Sequence, residues 1–543
     1  MKHITLVLVC CFFAAVANAV KVSSPSQLIE LFSQGLNEYI KVNIELESDI
    51  DFSLVQYNRS LGTQSDSRCF PYTGTFNGNG YSIKHFKLSQ GGEVGLFCQL
   101  NGATIKNLVI EESCSFTGQY AGALSAFQRF GGLTFSNVKN HASVKGQYSA
   151  GGFIGLFGEV TSNNNIKFQN CDNTGQVIGN YNGGFIGYVL LTKNTRFEFI
   201  ESNNNGLLTG GSVTGGFIGS VGHSEAITTL ISRCKNSGRV NGKSGSGGVI
   251  GVIEGSSGVS LTIKDSSVEN TVSGNNNVGG IIGLAVKSYA ISLSIYSSNV
   301  TGSTSGYNNV GGFVGNITNN DQVDISVNMS NSTGSVKGEQ YVGGLFGVIQ
   351  SSSPSKQTVV TITNTRRENT VIGTTLASCG FVCVEEGSTY AVKVNIFNSI
   401  SHGSTQGEKA YGIANHVTEV LNVVNIGSVS GTAKSYSLWK SPITNQHAYT
   451  LSSYCKSCGT ATQIAKNDKN GQYYVVGTKM MVSDMLNFVV NKGQQWKTLS
   501  FWTKDLGFDM KSDGQLSLAP SFTFSFTALL LVFFLMVQGI FTQ

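Results

Sequence analysis

Proline and charge are scarce in this chain. Five prolines interrupt 543 residues, so nearly every main-chain N–H is free to join a hydrogen-bonded ladder. Charged residues make up 12%, about half the usual quarter, and the chain must solubilise itself with Asn, Ser and Thr. A net charge of +5 without any Lys/Arg cluster or aromatic-basic interleaving argues against a nucleic-acid partner. The 7 histidines are scattered and no metal-ligand spacing or Ser-His-Asp pattern emerges, so neither a cofactor nor a metal is expected. Tryptophan is confined to Trp439, Trp496 and Trp502.

Glycine, by contrast, is abundant at 67 residues, and it is periodic. The phrase Gly151-Gly152-Phe153-Ile154-Gly155 returns with its second glycine at Gly184, Gly216, Gly248, Gly280, Gly312 and Gly344, always 32 residues on. Shorter-spaced copies precede it at Val94-Gly95-Leu96-Phe97 and Ala121-Gly122-Ala123-Leu124, and degenerate ones follow at Cys379-Gly380-Phe381 and Tyr411-Gly412-Ile413. Equal units in tandem bury a core by stacking, and atypical terminal units cap the stack.

Each unit holds three strand signals: the glycine phrase, an alternating run such as Phe197-Glu198-Phe199 or Leu261-Thr262-Ile263, and a Val-x-Gly segment such as Val240-Asn241-Gly242. Asn, Ser, Thr and Gly clusters between them are turn chemistry. Three strands in 32 residues are too few for a propeller blade, which needs four in about 40–45. The expectation is an all-β chain: a right-handed parallel β-helix of about eleven coils stacked about 4.8 Å apart. Ser24, Pro25 and Gln27 form an N-capping pattern ahead of the apolar stripe Leu28, Leu31 and Phe32, which predicts a helical lid on the first coil. The organisation read from this is a secretory signal over 1–19, a cap with leading strands over 20–90, the repeats over 91–434, a C-terminal cap or small subdomain over 435–510 that holds all three tryptophans, and a tail over 511–543.

The termini set the expected compartment. Lys2, an apolar run and the small-x-small end Ala17-Asn18-Ala19 match a secretory signal. The apolar stretch Phe522–Phe541 has no basic residue after it. That favours a GPI-attachment signal, with Ser512 of Ser512-Asp513-Gly514 as the attachment site, over a single-pass helix, which stays the alternative. Sequons at Asn58, Asn299, Asn316, Asn328 and Asn331 suggest a glycosylated face.

Gly74-Thr75-Phe76-Asn77-Gly78-Asn79-Gly80-Tyr81-Ser82-Ile83, followed by Val94–Phe97 and by Ala103-Thr104-Ile105-Lys106-Asn107-Leu108, resembles the leading module of the GLUG-motif family. The Gly-Gly-Phe-Ile-Gly phrases, with Asn170-Cys171 and Val177-Ile178-Gly179, resemble its repeats, and the likeness runs from about Val42 to Ser430. It implies an extended, adhesin-like β-helical surface protein and brings no catalytic residues with it.

Loss of Cys10 and Cys11 with the signal would leave nine of 11 cysteines, an odd number. Cys114, Cys171 and Cys234 fall 18 or 19 residues after a repeat glycine, which places them in one column as buried thiols. Coils two apart would hold such thiols about 10 Å from each other, too far for a disulfide. Cys455 and Cys458 read as a disulfide of the C-terminal cap. The acids Asp172, Glu198, Glu254, Asp265, Asp321 and Asp324 fall at different repeat positions, whereas glycan cleavage needs converging carboxylates. The expected role is therefore an adhesin or coat component and not an enzyme, with a purely structural rod or a β-helical carbohydrate-active lyase or hydrolase as alternatives. Expected partners are extracellular glycans, matrix or cell-surface proteins, and a membrane through the C-terminal anchor. Tyr148, Tyr181 and Tyr307 precede glycine pairs, and asparagine runs recur at 163–165, 203–205 and 275–277. Aligned along a rod, they would make a ligand-binding stripe.

Overall fold

A computed structural model describes residues 19–33, 39–161, 163–351, 357–388, 391–425 and 428–436. It also describes the short strands 446–450, 465–467, 472–474, 508–510 and 516–518. The signal segment, Cys455, Cys458, Ser512, the apolar tail and the three tryptophans lie outside the described residues. Among the described residues no helix is long and apolar enough to cross a membrane. The chain divides into two units, Met1–Tyr474 and Val475–Gln543. In the second, Phe508–Met510 pairs antiparallel with Leu516–Leu518.

The first unit is a parallel β-solenoid of about 11 turns of some 32 residues. One coil shows the pattern. Lys193–Ile200 and Asn203–Asn204 belong to a first ladder, Leu208–Gly215 to a second and Ile218–Gly222 to a third. Each strand pairs in parallel with its counterpart 32 residues on, as Phe199 does with Ile231, Val213 with Gly245 and Ile218 with Ile250. Alternation in the first ladder points Phe197 and Phe199 inward and leaves Arg196 outside.

The N-terminal end is closed as the capping pattern predicts. Val20–Val22 pairs with Ile44–Leu46, and helix α1 (Pro25–Ser33) closes the first coil by burying Leu28 and Phe32. The Phe32 ring lies 5.4 Å from Tyr72 and 5.7 Å from Phe97. Ser24 Oγ accepts the Gln27 N–H at 3.4 Å, while Gln27 Oε1 accepts from the N–H of Ser23, one residue before the cap. A Cys69–Cys98 disulfide ties the loop beside this end to the coil.

Two aromatic columns fill the N-terminal half of the core. Phe135, Phe168 and Phe199 stack at 4.8 and 5.0 Å between centroids, and Phe153, Phe185 and Phe217 at 4.9 and 5.2 Å. The columns meet edge to face, as at Phe168–Phe185, 5.2 Å. From Ile231 on the first column is aliphatic, while the second runs on as Val249, Ile281, Phe313, Leu345 and Phe381. A third interior column carries amides: Asn140, Asn173 and Asn204 donate Nδ2 to the Oδ1 of Asn173, Asn204 and Asn236 at 2.9, 2.8 and 3.0 Å, and Asn236 Nδ2 donates to the Gly248 carbonyl. The column continues as Val268, Val300, Ser332 and the fully buried Arg367. Among the described residues that guanidinium donates to neutral oxygens of Asn369, Ser401, Thr405 and Ser404.

The thiols depart from the expectation. Cys171 and Cys234 share a column with Ser202 between them, each main-chain N–H bonding the sulfur or hydroxyl one coil on. Cys114 lies elsewhere: Ser115 pairs with Ser143, which sets Cys114 beside Ala142. Gly95 pairs through Gly122 with Gly151, the first glycine of the pair and not the second, so counting from Gly95 misplaces Cys114. All three are free and buried, and burial pushes their thiols up, to about 11 for Cys114, 12 for Cys171 and 11 for Cys234.

Candidate functional site: an outer groove

The glycine pair makes a re-entrant corner between the second and third ladders. Its tip reaches in to the first ladder, where a Cβ on Gly152 would stand 2.6 Å from Asn173 Oδ1 and one on Gly248 2.6 Å from Val268 Cγ1. Because the corner folds inward, the outer faces of its two arms meet along a shallow groove, packed shut where Val213, Gly245, Ser220 and Val252 are buried against each other and part-open at Tyr120, Tyr148, Tyr181 and Tyr188. From the second ladder come Tyr120, Ser149, Tyr181, Val213, Gly245, Asn277, Asn309 and Tyr341. From the third come Phe127, Leu156, Tyr188, Ser220, Val252, Leu284, Asn316 and Val348. None of these sixteen positions is charged.

The two ends of the groove differ in chemistry. In the leading coils Tyr120 packs on Phe127 at 5.9 Å and stacks on Tyr148 at 6.0 Å, and Tyr181 stacks on Tyr188 at 4.4 Å. Tyr148 sits in a bulge that breaks the register between Lys145 and Ser149, which throws its ring outward to 49% exposure. Arg129 lies flat on Phe127, 3.6 Å from the ring centroid, and pairs with Glu93 at 3.6 Å and Glu159 at 3.4 Å. Burial raises the Glu93 carboxyl against the opposing pull of Arg129. The Tyr188 phenol is pushed up to about 12, first by burial and then by Tyr181. None of the four phenol hydroxyls of Tyr120, Tyr148, Tyr181 and Tyr188 has a protein partner among the described residues. Further along, Asn309 and Asn316 both donate Nδ2 to Asn277 Oδ1, at 2.9 and 3.0 Å. The groove closes around the Cys379–Cys383 disulfide, with Ala377, Tyr411 and Tyr341 packed about it.

The three tyrosines singled out in the sequence do not form one stripe. Tyr181 lies in the groove column and Tyr148 beside it. Tyr307 bonds back to Asn275, two positions before that column and four coils from Tyr181, at 56% exposure. Of the asparagine runs, 275–277 joins the groove through Asn277, whereas 163–165 and 203–205 belong to the first ladder. Phe127, Arg129 and Tyr188 escaped notice because they follow the glycine phrase; the recurring fourth position after the second glycine is the signal that marks the third-ladder column.

Among the sequons Asn58 and Asn299 are exposed, Asn328 and Asn331 half-buried, and Asn299 pairs directly with Asn331. Asn316 is a correction: at 5% exposure, with its amide turned into the groove toward Asn277, it leaves no room for a glycan. The acids named above occupy separate columns, Asp172 beside Asn203, Glu198 beside Leu230, Glu254 beside Val286, Asp321 beside Tyr289 and Asp324 beside Ser292. His85 Nδ1 lies 2.7 Å from Asp51 Oδ1, and the nearby Ser113 hydroxyl takes the His85 main-chain N–H. Among the described residues no cluster of His, Cys, Asp or Glu could hold a metal ion.

No protein-family model matches the chain, and no curated protein matches it. A solved structure of a candidate immunoglobulin A1 protease from Bacteroides ovatus aligns over 93% of this chain and 93% of its own, with 14% identity and a TM-score of 0.20. At that score no activity is carried over. The likeness to GLUG-motif repeats therefore rests on the quoted phrases alone, and the solenoid on the structure itself.

Proposed function

We propose that the protein is a surface-anchored repeat glycoprotein that acts as an adhesin or coat component, with the outer groove as its contact surface. The observation that supports this most is the aromatic end of the groove. Side chains from three successive coils, on backbone fixed by the ladders, present ring faces and phenol hydroxyls that have no partner among the described residues. A rigid platform of that kind binds with little ordering cost. The secretory start, the sequons and the uncharged apolar tail support a place on the outer face of the plasma membrane, held by a GPI anchor at Ser512 or by a single span.

Beads coated with the purified full chain should adhere to host or sibling cells. Adhesion should fall when Tyr148 and Tyr181 are replaced by Ser together. Beads that adhere no better than albumin-coated ones would reject the adhesin reading and leave the structural rod.

A further inference from the structure

We infer that the aromatic end of the outer groove binds a neutral glycan chain laid along the rod axis. This rests on the adhesin reading and specifies its ligand. The first argument is charge. The sixteen groove positions carry no charged residue; Glu93 precedes Tyr120 in its column, and Arg129 is held on Phe127 between the two carboxylates of Glu93 and Glu159. Two acids around one guanidinium leave a surplus of negative charge, which repels uronic or sulfated chains and is indifferent to neutral ones.

The second argument is the pairing of chemistries. A pyranose ring has an apolar face that stacks on an aromatic ring and an edge of hydroxyls that needs donors and acceptors. Tyr120, Tyr148, Tyr181 and Tyr188 offer both, since their rings are stacked in place and their hydroxyls have no partner among the described residues. A phenol serves as rigid amphipathic contact area at small entropic cost. The third is geometry. Tyr120 pairs with Ser149 and Ser149 with Tyr181, so Tyr120 and Tyr181 stand two coils, about 10 Å, apart along the axis, with Tyr148 in the coil between them. That is the span of a disaccharide, so alternate sugars of one chain meet Tyr120 and Tyr181, and the sugar between them meets Tyr148.

The test is titration calorimetry on the full chain in mild detergent, with neutral hexasaccharides of glucose, mannose and N-acetylglucosamine and with sulfated and uronic counterparts. At least one neutral hexasaccharide should bind, and Tyr181→Ala and Tyr148→Ala should each weaken it about ten-fold. Tyr307→Ala, an exposed tyrosine outside the groove, should leave it unchanged. Tyr148 is bulged and half-exposed, so its replacement keeps the test valid if Tyr181→Ala disturbs folding. Binding of acidic chains only, binding of none, or affinities untouched by both groove variants would overturn the inference. Beads that adhere to cells while no neutral hexasaccharide binds would sink the glycan assignment and leave the adhesin reading standing. Hexasaccharide binding without adhesion would do the reverse.

Discussion

Gly184 abuts Asn204 across the interior of the solenoid, where a Cβ on the glycine would stand 2.5 Å from the Asn204 Oδ1. This close approach lets the corner between the second and third ladders turn inward, and the inward turn creates the outer groove. The contact repeats down the rod, with Val300 facing Gly280, Ser332 facing Gly312 and Arg367 facing Gly344. The repeat glycine is therefore set by lack of space. No positive φ accompanies it at Gly184, Gly216 or Gly248.

Replacing Gly216 by Val should accordingly destabilise the solenoid. A side chain there would overlap the Gly248 carbonyl oxygen and the Asn236 amide, and overpacking of this kind costs about 1–3 kcal/mol. Gly91, which has nothing within 4 Å of its Cβ position, should accept Ala with no measurable change. Chemical denaturation of the two variants checks this, and equal stabilities would contradict the crowded corner.

The fold was legible because its cause is periodic. One glycine per 32 residues marks a backbone contact that every coil must make, and alternation marks the inward face of the first ladder. The groove was half legible. Tyr181 lies on it, yet counting back from the glycine pair fails wherever a bulge intervenes, as between Lys145 and Ser149 or Gly179 and Tyr181. Such bulges depend on how turn residues pack, which spacing does not encode. Cys114 fell in the wrong column for another reason: the coil from Gly95 to Gly122 is shorter than the repeat and meets the first glycine of the pair, so an equal count from the glycine ends at a different ladder position.

The buried amide ladder should behave as a unit. In Asn204→Val the Asn173 Nδ2 and the Asn236 Oδ1 each lose a partner, and buried unsatisfied groups cost about 1–3 kcal/mol apiece. Replacing Asn173, Asn204 and Asn236 together by Val should cost well below the sum of the singles, since Val268 and Val300 already fill this column. A cycle of single and triple variants measures the coupling; strict additivity would mean that the amides act independently.

Another column shows strain that glycine would relieve. Asn194, Ala226, Gly258, Ala290 and Gln322 recur every 32 residues with φ between 47° and 62°. A left-handed conformation costs an ordinary side chain about 1–2 kcal/mol, and the extra chain entropy of glycine offsets about half of that. Ala290→Gly should therefore gain about 0.5 kcal/mol, raising the thermal midpoint, whereas the same change at Ala150, buried with no positive φ, should lower it.

The last prediction concerns alkali. An exposed thiol titrates near 9, but burial holds Cys171 near 12 and Cys234 near 11. Between those values the unfolded chain has released these protons and the native chain still keeps them, so stability falls as pH rises above about 9, by up to about 1.4 kcal/mol per unit for each thiol. Tyrosines and lysines titrate in the same range, so the contribution is isolated by difference. The column supplies a suitable replacement, because Ser202, Ser266 and Ser298 hold equivalent positions and bond the same way. Cys171→Ser with Cys234→Ser should fold normally and lose less stability than the parent between pH 9 and 10.5. Iodoacetamide at pH 8.5 should spare Cys114, Cys171 and Cys234 in the native parent and label all three once it is unfolded, as read by peptide mass. Rapid native labelling, or parallel alkaline stability curves for the two chains, would contradict buried thiols.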